Sequence, residues 1–326
     1  MSELKQITLK NNQGMQVELL NVGARVRSIK FPVNGQPTEM TVAYQNVENY
    51  QDDVFYLGAT CGRVCNRIAN GKFELNGQSY DLPINNGPNC LHGGELNFSY
   101  RFWQIEQASL TDTFVKFDLV SEEGDQGFPG QVTSSVIYQL TEQNELKINY
   151  LATTTAPTPI NMTNHCYFDL GEGSCRELSL QMAASSYLPL DEHCIPTGET
   201  RAVEQGEFSF RQPAVIGERI DNAKDEQLVA AGGYDHCLIL DNSPMSEAKA
   251  TLTSHKNNIK LELFTDQPSV QLYSGRYLGG ELTGFQGVCL EAQNYPDAIN
   301  QAHFPNSVLQ VGEEYYRNIV FKFSAL

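Results

Sequence analysis

The chain has 326 residues, 40% of them hydrophobic and 19% charged, an ordinary globular composition with ample length for a large core. Lys and Arg number 22 against 39 Asp and Glu, a formal net charge of −17 that repels phosphate backbones and anionic lipid, so neither nucleic acid nor membrane is an expected partner and a neutral small molecule fits better. No run of about 18 apolar residues occurs, and the N-terminus MSELKQITLKNNQG lacks a basic segment followed by an apolar one, which predicts an unexported, cytoplasmic protein.

Short alternating segments separated by Asn, Gly, Pro and Asp clusters run through the chain. ELNGQSYDL (Glu74 to Leu82) reads as a hairpin, its Asn-Gly pair being the strongest short turn signal. FVKFDLV (Phe114 to Val120), SSVIYQL (Ser134 to Leu140) and ELKINYLATTT (Glu145 to Thr155) alternate as strands, the last two joined by a second turn in TEQNEL. PINMTNHCYFDL (Pro159 to Leu170) reads as a strand with Met162, Asn164, Cys166, Phe168 and Leu170 on one face and Thr163, His165, Tyr167 and Asp169 on the other. The second face is entirely polar, which suits either a solvated sheet surface or a site. The best helical candidate is the charged DNAKDEQLVAAGG (Asp221 to Gly233). KLELFT (Lys260 to Thr265), SVQLYSG (Ser269 to Gly275) and NIVFKF (Asn318 to Phe323) complete the strand pattern. These elements predict a mainly β chain with two large packed sheets and, with no visible boundary, one domain over residues 1–326.

Among the six histidines, His165 sits on the polar face just described and His92 lies in GPNCLHGG, where glycines allow a tight turn and close backbone approach to a ligand. His236 follows Asp235 in GYDHCLIL, whereas His193, His255 and His303 sit in polar loop-like contexts. The eight cysteines, at positions 61, 65, 90, 166, 175, 194, 237 and 289, lack the spacing of a disulfide scaffold and are expected to be reduced and mostly buried. Cys90/His92, His165/Cys166 and His236/Cys237 are close Cys and His pairs, but strand neighbours face opposite ways and cannot share an ion, so no metal is expected. Near the C-terminus, GVCLEAQNYPD puts Glu291 and Gln293 on one strand face and Val288, Leu290 and Ala292 on the other. Turned inward, Glu291 would be desolvated and a better proton acceptor; turned outward, it would be an ordinary surface carboxylate.

The blocks GATCGRVCNRIANGKFELNGQSYDLPINNGPNCLHGG, EGDQGFPG, NMTNHCYFDL, GYDHCLIL, SVQLYSGRYLGG, CLEAQNYPDAINQAHFP and VGEEYYRNIVFKF, in this order along nearly the whole chain, resemble the galactose mutarotase (aldose 1-epimerase) family. The resemblance implies an all-β, many-stranded antiparallel β-sandwich with few short helices and a sugar cleft on one sheet. It implies interconversion of the α and β anomers of galactose, glucose and related aldoses without metal or organic cofactor, by a monomer or homodimer. Position by position, it makes Glu291 the general base, His165 the general acid and His92 a second active-site histidine, with Arg67, Asp235, Gln271 and Asn66 binding sugar. Tyr167 or Phe304 could stack on a pyranose or belong to the core.

Cys65 stands where a small residue such as Ala is usual and Cys166 where Ser or Val is more familiar, and the segment Glu281 to Gln286 is shorter than in many members. Cys166 is expected to face away from His165, and the short segment bears on the cleft rim and on subunit contacts. Three other activities fit parts of the pattern. A non-catalytic sugar-binding relative would need Asp235 but not both Glu291 and His165. A hexose-6-phosphate 1-epimerase would want a basic cluster, for which Arg63 and Arg67 are the candidates. A glycoside hydrolase would pair two carboxylates, where the matched motifs supply one carboxylate and one histidine.

Overall fold

The computed structural model describes residues 3–204 and 206–326. A nine-stranded antiparallel sheet runs in the spatial order Gln104–Ile105, Phe114–Ser121, Val132–Leu140, Glu145–Thr154, Tyr315–Ala325, Ile259–Thr265, Ala250–Ser254, Ser179–Met182, Ala214–Val215. A six-stranded antiparallel sheet runs Tyr167–Phe168, Val288–Gln293, Ser269–Tyr273, Asp235–Leu240, Ala184–Tyr187, Arg201–Ala202. A four-stranded meander at the N-terminus (Gln6–Lys10, Gln16–Leu20, Arg25–Val33, Gln36–Glu39) adds a third layer segment.

Alternation places the core. In Val132–Leu140 and Glu145–Thr154 every second side chain is buried, so Val136, Tyr138, Ile148 and Tyr150 point inward while Gln139 and Thr153 meet solvent. One hydrophobic cluster joins Val17 and Ile29 of the meander, Phe117, Leu261 and Phe321 of the large sheet, and Leu238, Leu272 and Leu290 of the six-stranded sheet. The architecture is the expected many-stranded β-sandwich. The Asn76-Gly77 turn has φ of 54° and 77°, the left-handed pair a two-residue hairpin requires, and joins Lys72–Leu75 to Gln78–Asp81.

The segment Pro159 to Leu170 is not the continuous strand its alternation suggests. Thr163–Asn164 pairs with Thr60–Cys61, and Tyr167–Phe168 pairs with Val288–Cys289, so the chain changes partners around His165. Asn164 makes the bend: its side-chain oxygen accepts the Cys166 N–H at 3.1 Å while its amide donates to the Gly58 carbonyl at 3.0 Å. The polar face is not solvated either, since Thr163, His165, Tyr167 and Asp169 are all buried. Cys166 joins the main core, on the side away from the cleft that His165 lines.

Two α-helices occur among the described residues, Ile216–Asp221 and Glu226–Ala231. The second falls inside the helical candidate, capped by the Asp225 side chain on the Gln227 N–H and ended by Gly232 at φ 60°. The first ends on the candidate's first residue, Asp221, and has Ile216 and Gly217 buried. The strand beginning at Ser269 stops at Tyr273, short of Gly275, where a Cβ would lie 2.4 Å from the Gly287 carbonyl oxygen.

Candidate active site

Three neighbouring strands of the six-stranded sheet present the polar floor of a cleft. In register, Gln271 lies opposite both Cys237 and Glu291, and Asp235 lies opposite Tyr273. Leu238, Val270, Leu272, Leu290 and Ala292, from the alternate positions, fill the core beneath. The same period of two that buries the leucines therefore aims Asp235, Gln271, Tyr273 and Glu291 at the other face. Gln271 donates from Nε2 to Asp235 Oδ1 at 2.7 Å, and Arg67 reaches Asp235 Oδ2 at 3.5 Å while donating from Nε to Asn86 Oδ1 at 3.0 Å.

The histidines close over this floor from two loops. The backbone of His165 is fixed on both sides, its N–H donating to the Ala59 carbonyl and its own carbonyl accepting from the Gly58 N–H, each at 3.0 Å. Its Nε2 faces Glu291 Oε1 at 3.7 Å and its Nδ1 meets Cys289 Sγ at 3.5 Å. His92, at φ 53°, is clamped to Asn66, at φ 59°: the His92 N–H donates to the Asn66 carbonyl at 2.9 Å, and the Asn66 N–H donates to His92 Nδ1 at 3.1 Å. The next residue must be glycine, because a Cβ on Gly93 would sit 2.5 Å from the Gly62 carbonyl oxygen. The close backbone approach expected of the LHGG run is thus to the Gly62–Arg63 segment rather than to a ligand.

These groups line a cavity of about 290 Å³, near the lower end of the size range of small-molecule sites, with Tyr56, Tyr167, Tyr273 and Tyr277 as aromatic walls. Asn66, Arg67, His92, His165, Asp235 and Glu291 all line it, and Gln271 stands just behind, bonded to Asp235. Tyr167 belongs to the wall, whereas Phe304 packs with Leu188, Cys237 and Tyr295 instead. Arg63 is buried away from the cleft, donating to the Pro129 and Gly130 carbonyls and to Ser121. Glu281 to Gln286 does not line the cleft; its Leu282 joins a smaller apolar cluster with Leu278, Tyr50 and Leu57. A larger open depression of about 670 Å³ beside Lys5, Trp103 and Leu110 holds no histidine and shares no residue with the cleft.

Val54, Phe55, Tyr56, Asn86, Leu91, Tyr273 and Tyr277 line the cavity without having been singled out in the sequence. Tyr273 was within reach, since it shares the Gln271 face by simple alternation. Tyr56 was not: it lies in a loop, at φ 58°, with its ring 4.6 Å from that of His92 and 5.8 Å from that of Tyr100.

Burial dominates the electrostatics. Glu291 and His165 expose 2% and 4% of their surfaces. Burial first, and repulsion from Asp235 second, raise the Glu291 carboxyl well above the usual carboxylate range, opposed by Arg67. Burial pushes His165 down to about 4, opposed by its own backbone carbonyl and by Asp53 and Asp235. His92 is held well below the usual imidazole value by burial, then by His165 and Arg67. His92 is therefore neutral, and because its Nδ1 accepts the Asn66 N–H, its proton is on Nε2. Glu291 Oε2 and Gln271 Oε1 are buried acceptors without a protein donor, open to hydroxyl groups.

His92, His165 and Glu291 offer ligand atoms within 4.8 Å of one another, close enough for a metal ion. The tautomer of His92 opposes that use, since an Nε2 that carries a proton has no lone pair for a cation, and freeing it would set an Nδ1–H against the Asn66 N–H. The arrangement instead suits proton transfer at a neutral, hydroxyl-rich molecule: a buried carboxyl, an imidazole facing it, and donors and acceptors around the rim.

The family model described as aldose 1-epimerase matches residues 5–322. The chain is 36% identical to the galactose mutarotase of Bos taurus over 98% of its own length and 94% of that protein's. It is 38% identical to the aldose 1-epimerase of Escherichia coli (98% and 95% covered) and 40% identical to that of Haemophilus influenzae (97% and 95%). Among solved structures, the aldose epimerase homologue from C. elegans superposes with a TM-score of 0.93 at 29% identity, covering 99% of this chain and all of the other. The galactose 1-epimerase from Lactobacillus acidophilus gives 0.89 at 29%, with 99% and 95% covered. With this match running through both sheets and every element of the cleft, the chain belongs to the aldose 1-epimerase family.

Proposed function

We propose that this chain catalyses the aldose 1-epimerase reaction, interconverting the α and β anomers of galactose, glucose and related aldoses, with Glu291 as general base and His165 as general acid. The observation that carries the assignment is the facing pair itself, Glu291 Oε1 and His165 Nε2 at 3.7 Å in a cavity the size of one sugar ring. Glu291 takes the proton of the anomeric hydroxyl while His165 Nε2 delivers one to the ring oxygen; the bond between carbon 1 and that oxygen breaks and leaves the open aldehyde. Rotation about the bond between carbons 1 and 2 presents the other carbonyl face. His165 then takes the proton of the returning hydroxyl, Glu291 gives its proton to the carbonyl oxygen, and the opposite anomer leaves. No electrons are gained or lost, so a base and an acid suffice.

Ring opening and closing conserve one proton shared by the pair. Closed sugar needs Glu291 ionised with His165 protonated; open aldehyde needs Glu291 protonated with His165 neutral, the distribution that burial favours. His92, donating from Nε2, suits an oxygen that gains negative charge, and Arg67, Asp235 and Gln271 suit the sugar hydroxyls, with Asn66 holding His92 in place. A phosphorylated sugar fits less well: Arg63 points away and Arg67 is already paired with Asp235. The same reading takes residues 1–326 as one domain, supported by one large apolar cluster that draws on the meander and on the nine- and six-stranded sheets, and the protein as cytoplasmic, supported by eight free cysteines.

Polarimetry on freshly dissolved α-D-galactose tests the assignment. Wild type should relax far faster than the uncatalysed control, and Glu291→Gln and His165→Asn should each lose about 10²–10⁴-fold in kcat. Either variant retaining wild-type rates would remove that residue from the role. Turnover of galactose 6-phosphate alone would replace the substrate class, and release of sugar from an aryl galactoside would point to hydrolysis.

A further inference from the structure

The reading of His165 as proton donor leaves one side of its ring unexplained, and the inference drawn from it rests on that reading. Nε2 faces Glu291, while Nδ1 lies 3.5 Å from Cys289 Sγ, the one side chain among the described residues at hydrogen-bonding distance from it. Cys289 is fully buried and lies two residues before Glu291, on the same strand face, so one strand supplies both the base and the partner of the acid. We propose that Cys289 is a positioning residue: its thiol holds Nδ1 of His165 so that Nε2 carries the exchangeable proton on the cavity side.

A thiol suits this post because its sulfur is a weak acceptor. The sulfur accepts Nδ1–H both in the imidazolium and in neutral His165, so Nδ1 keeps its proton and Nε2 alone gives up and takes back the one exchanged with the sugar. The ring thus keeps one orientation through both halves of the proton cycle. A carboxylate there, as in a Ser-His-Asp triad, would hold the imidazolium firmly and make it a weaker acid. Burial keeps the Cys289 thiol protonated, with Glu291 the next influence in the same direction. The residue's own carbonyl and the more distant Asp53 and Asp235 favour the cation, Arg25 opposes it, and His92, Tyr56, Tyr167 and Tyr273 surround the ring without a hydrogen bond to it. Tyr167 and Tyr273, the strand neighbours opposite Cys289, flank the imidazole with centroids at 5.1 and 6.3 Å and stop it from swinging.

The test is nitrogen NMR of the full-length protein labelled with ¹⁵N-histidine at neutral pH, the His165 signals being assigned by their loss in His165→Asn. Wild-type His165 should carry its proton on Nδ1, with Nε2 bare. Cys289→Ala should mix the two tautomers and lower kcat by about 10- to 100-fold with little change in KM, as expected when a reacting group loses its alignment. Cys289→Ser should restore both the tautomer and most of kcat. A wild-type His165 protonated on Nε2, or a folded Cys289→Ala with unchanged tautomer and kcat, overturns the proposal. If the alanine variant does not fold, the wild-type tautomer and the serine variant decide. A wild type without mutarotase activity would instead overturn the functional reading, and the NMR result would stand apart from it.

Discussion

His236 shows what burial alone does to an imidazole. It sits beneath the cleft, its ring 4.7 Å from Phe208 and its Nδ1 accepting the Asp235 N–H at 3.1 Å, and burial pushes it down to about 4 against the pull of Asp235 and Asp225. A histidine whose folded value is depressed binds its proton more readily when unfolded, so its contribution is full above the unfolded value and is lost as pH falls from about 6.5 toward 4. At about 1.4 kcal/mol per unit, that loss is of the order of 3 kcal/mol. His236→Gln should therefore flatten the fall in stability over this window, measured as denaturation midpoints at pH 7 and pH 4.5; an identical fall would show that His236 titrates normally in the fold. His165 and Glu291 make the matching prediction for activity. Between about pH 4, where the pair takes a second proton, and the raised value of Glu291, where it loses its only one, kcat/KM should be level. An acid limb near 6.5 in the polarimetric profile would contradict a desolvated His165.

At the scale of elements, the wall of the cleft depends on a buried ion pair. Arg25, at the start of its strand, donates to Asp53 at 2.6 Å and to the carbonyls of Val22, Leu57 and Ser99. Asp53 also accepts from the N–H groups of Phe55 and Leu57 and from the Tyr44 hydroxyl, which pins the turn carrying Tyr56 against His92. Asp53→Ala should cost about 3–5 kcal/mol in urea denaturation, because it leaves Arg25 charged and unpaired in the core. The folded fraction should show a higher KM as Tyr56 loosens; unchanged stability would mean that water reaches Arg25. Alternation located the long strands, such as Phe114–Ser121 and Ile259–Thr265, to within about a residue or two. It failed over Pro159 to Leu170, where a side-chain turn at Asn164 switches the strand from one partner to another, an event that leaves no mark on periodicity.

At the scale of the whole molecule, the distribution of thiols follows from the packing of the sheets. All eight cysteines are free, and seven are buried in or between the layers, where desolvation raises their thiols and keeps them inert; Cys194 is the partly exposed one. A thiol reagent should thus modify about one cysteine rapidly in the native protein and all eight after denaturation without reductant. Fewer than eight in the denatured state would reveal a disulfide, and several fast native thiols would reveal an open core.

The alternation of apolar and polar side chains settled the class of fold, because a half-buried strand needs that period whatever its neighbours are, and it put Glu291 and Gln293 on one face of their strand. The motif order added the family and, with it, the names of the cleft residues. Tertiary structure alone decided the rest. Glu145–Thr154 pairs with Tyr315–Ala325 across most of the chain, and no local pattern encodes which strand closes on which. Likewise only the pairing of Thr163–Asn164 with Thr60–Cys61 and of Tyr167–Phe168 with Val288–Cys289 brings His165 Nε2 to 3.7 Å from Glu291 and sets Cys289 behind the ring. The chemical identity of each group is written in the sequence, but its desolvation and partners, which set its proton affinity, exist only once the sheets have packed.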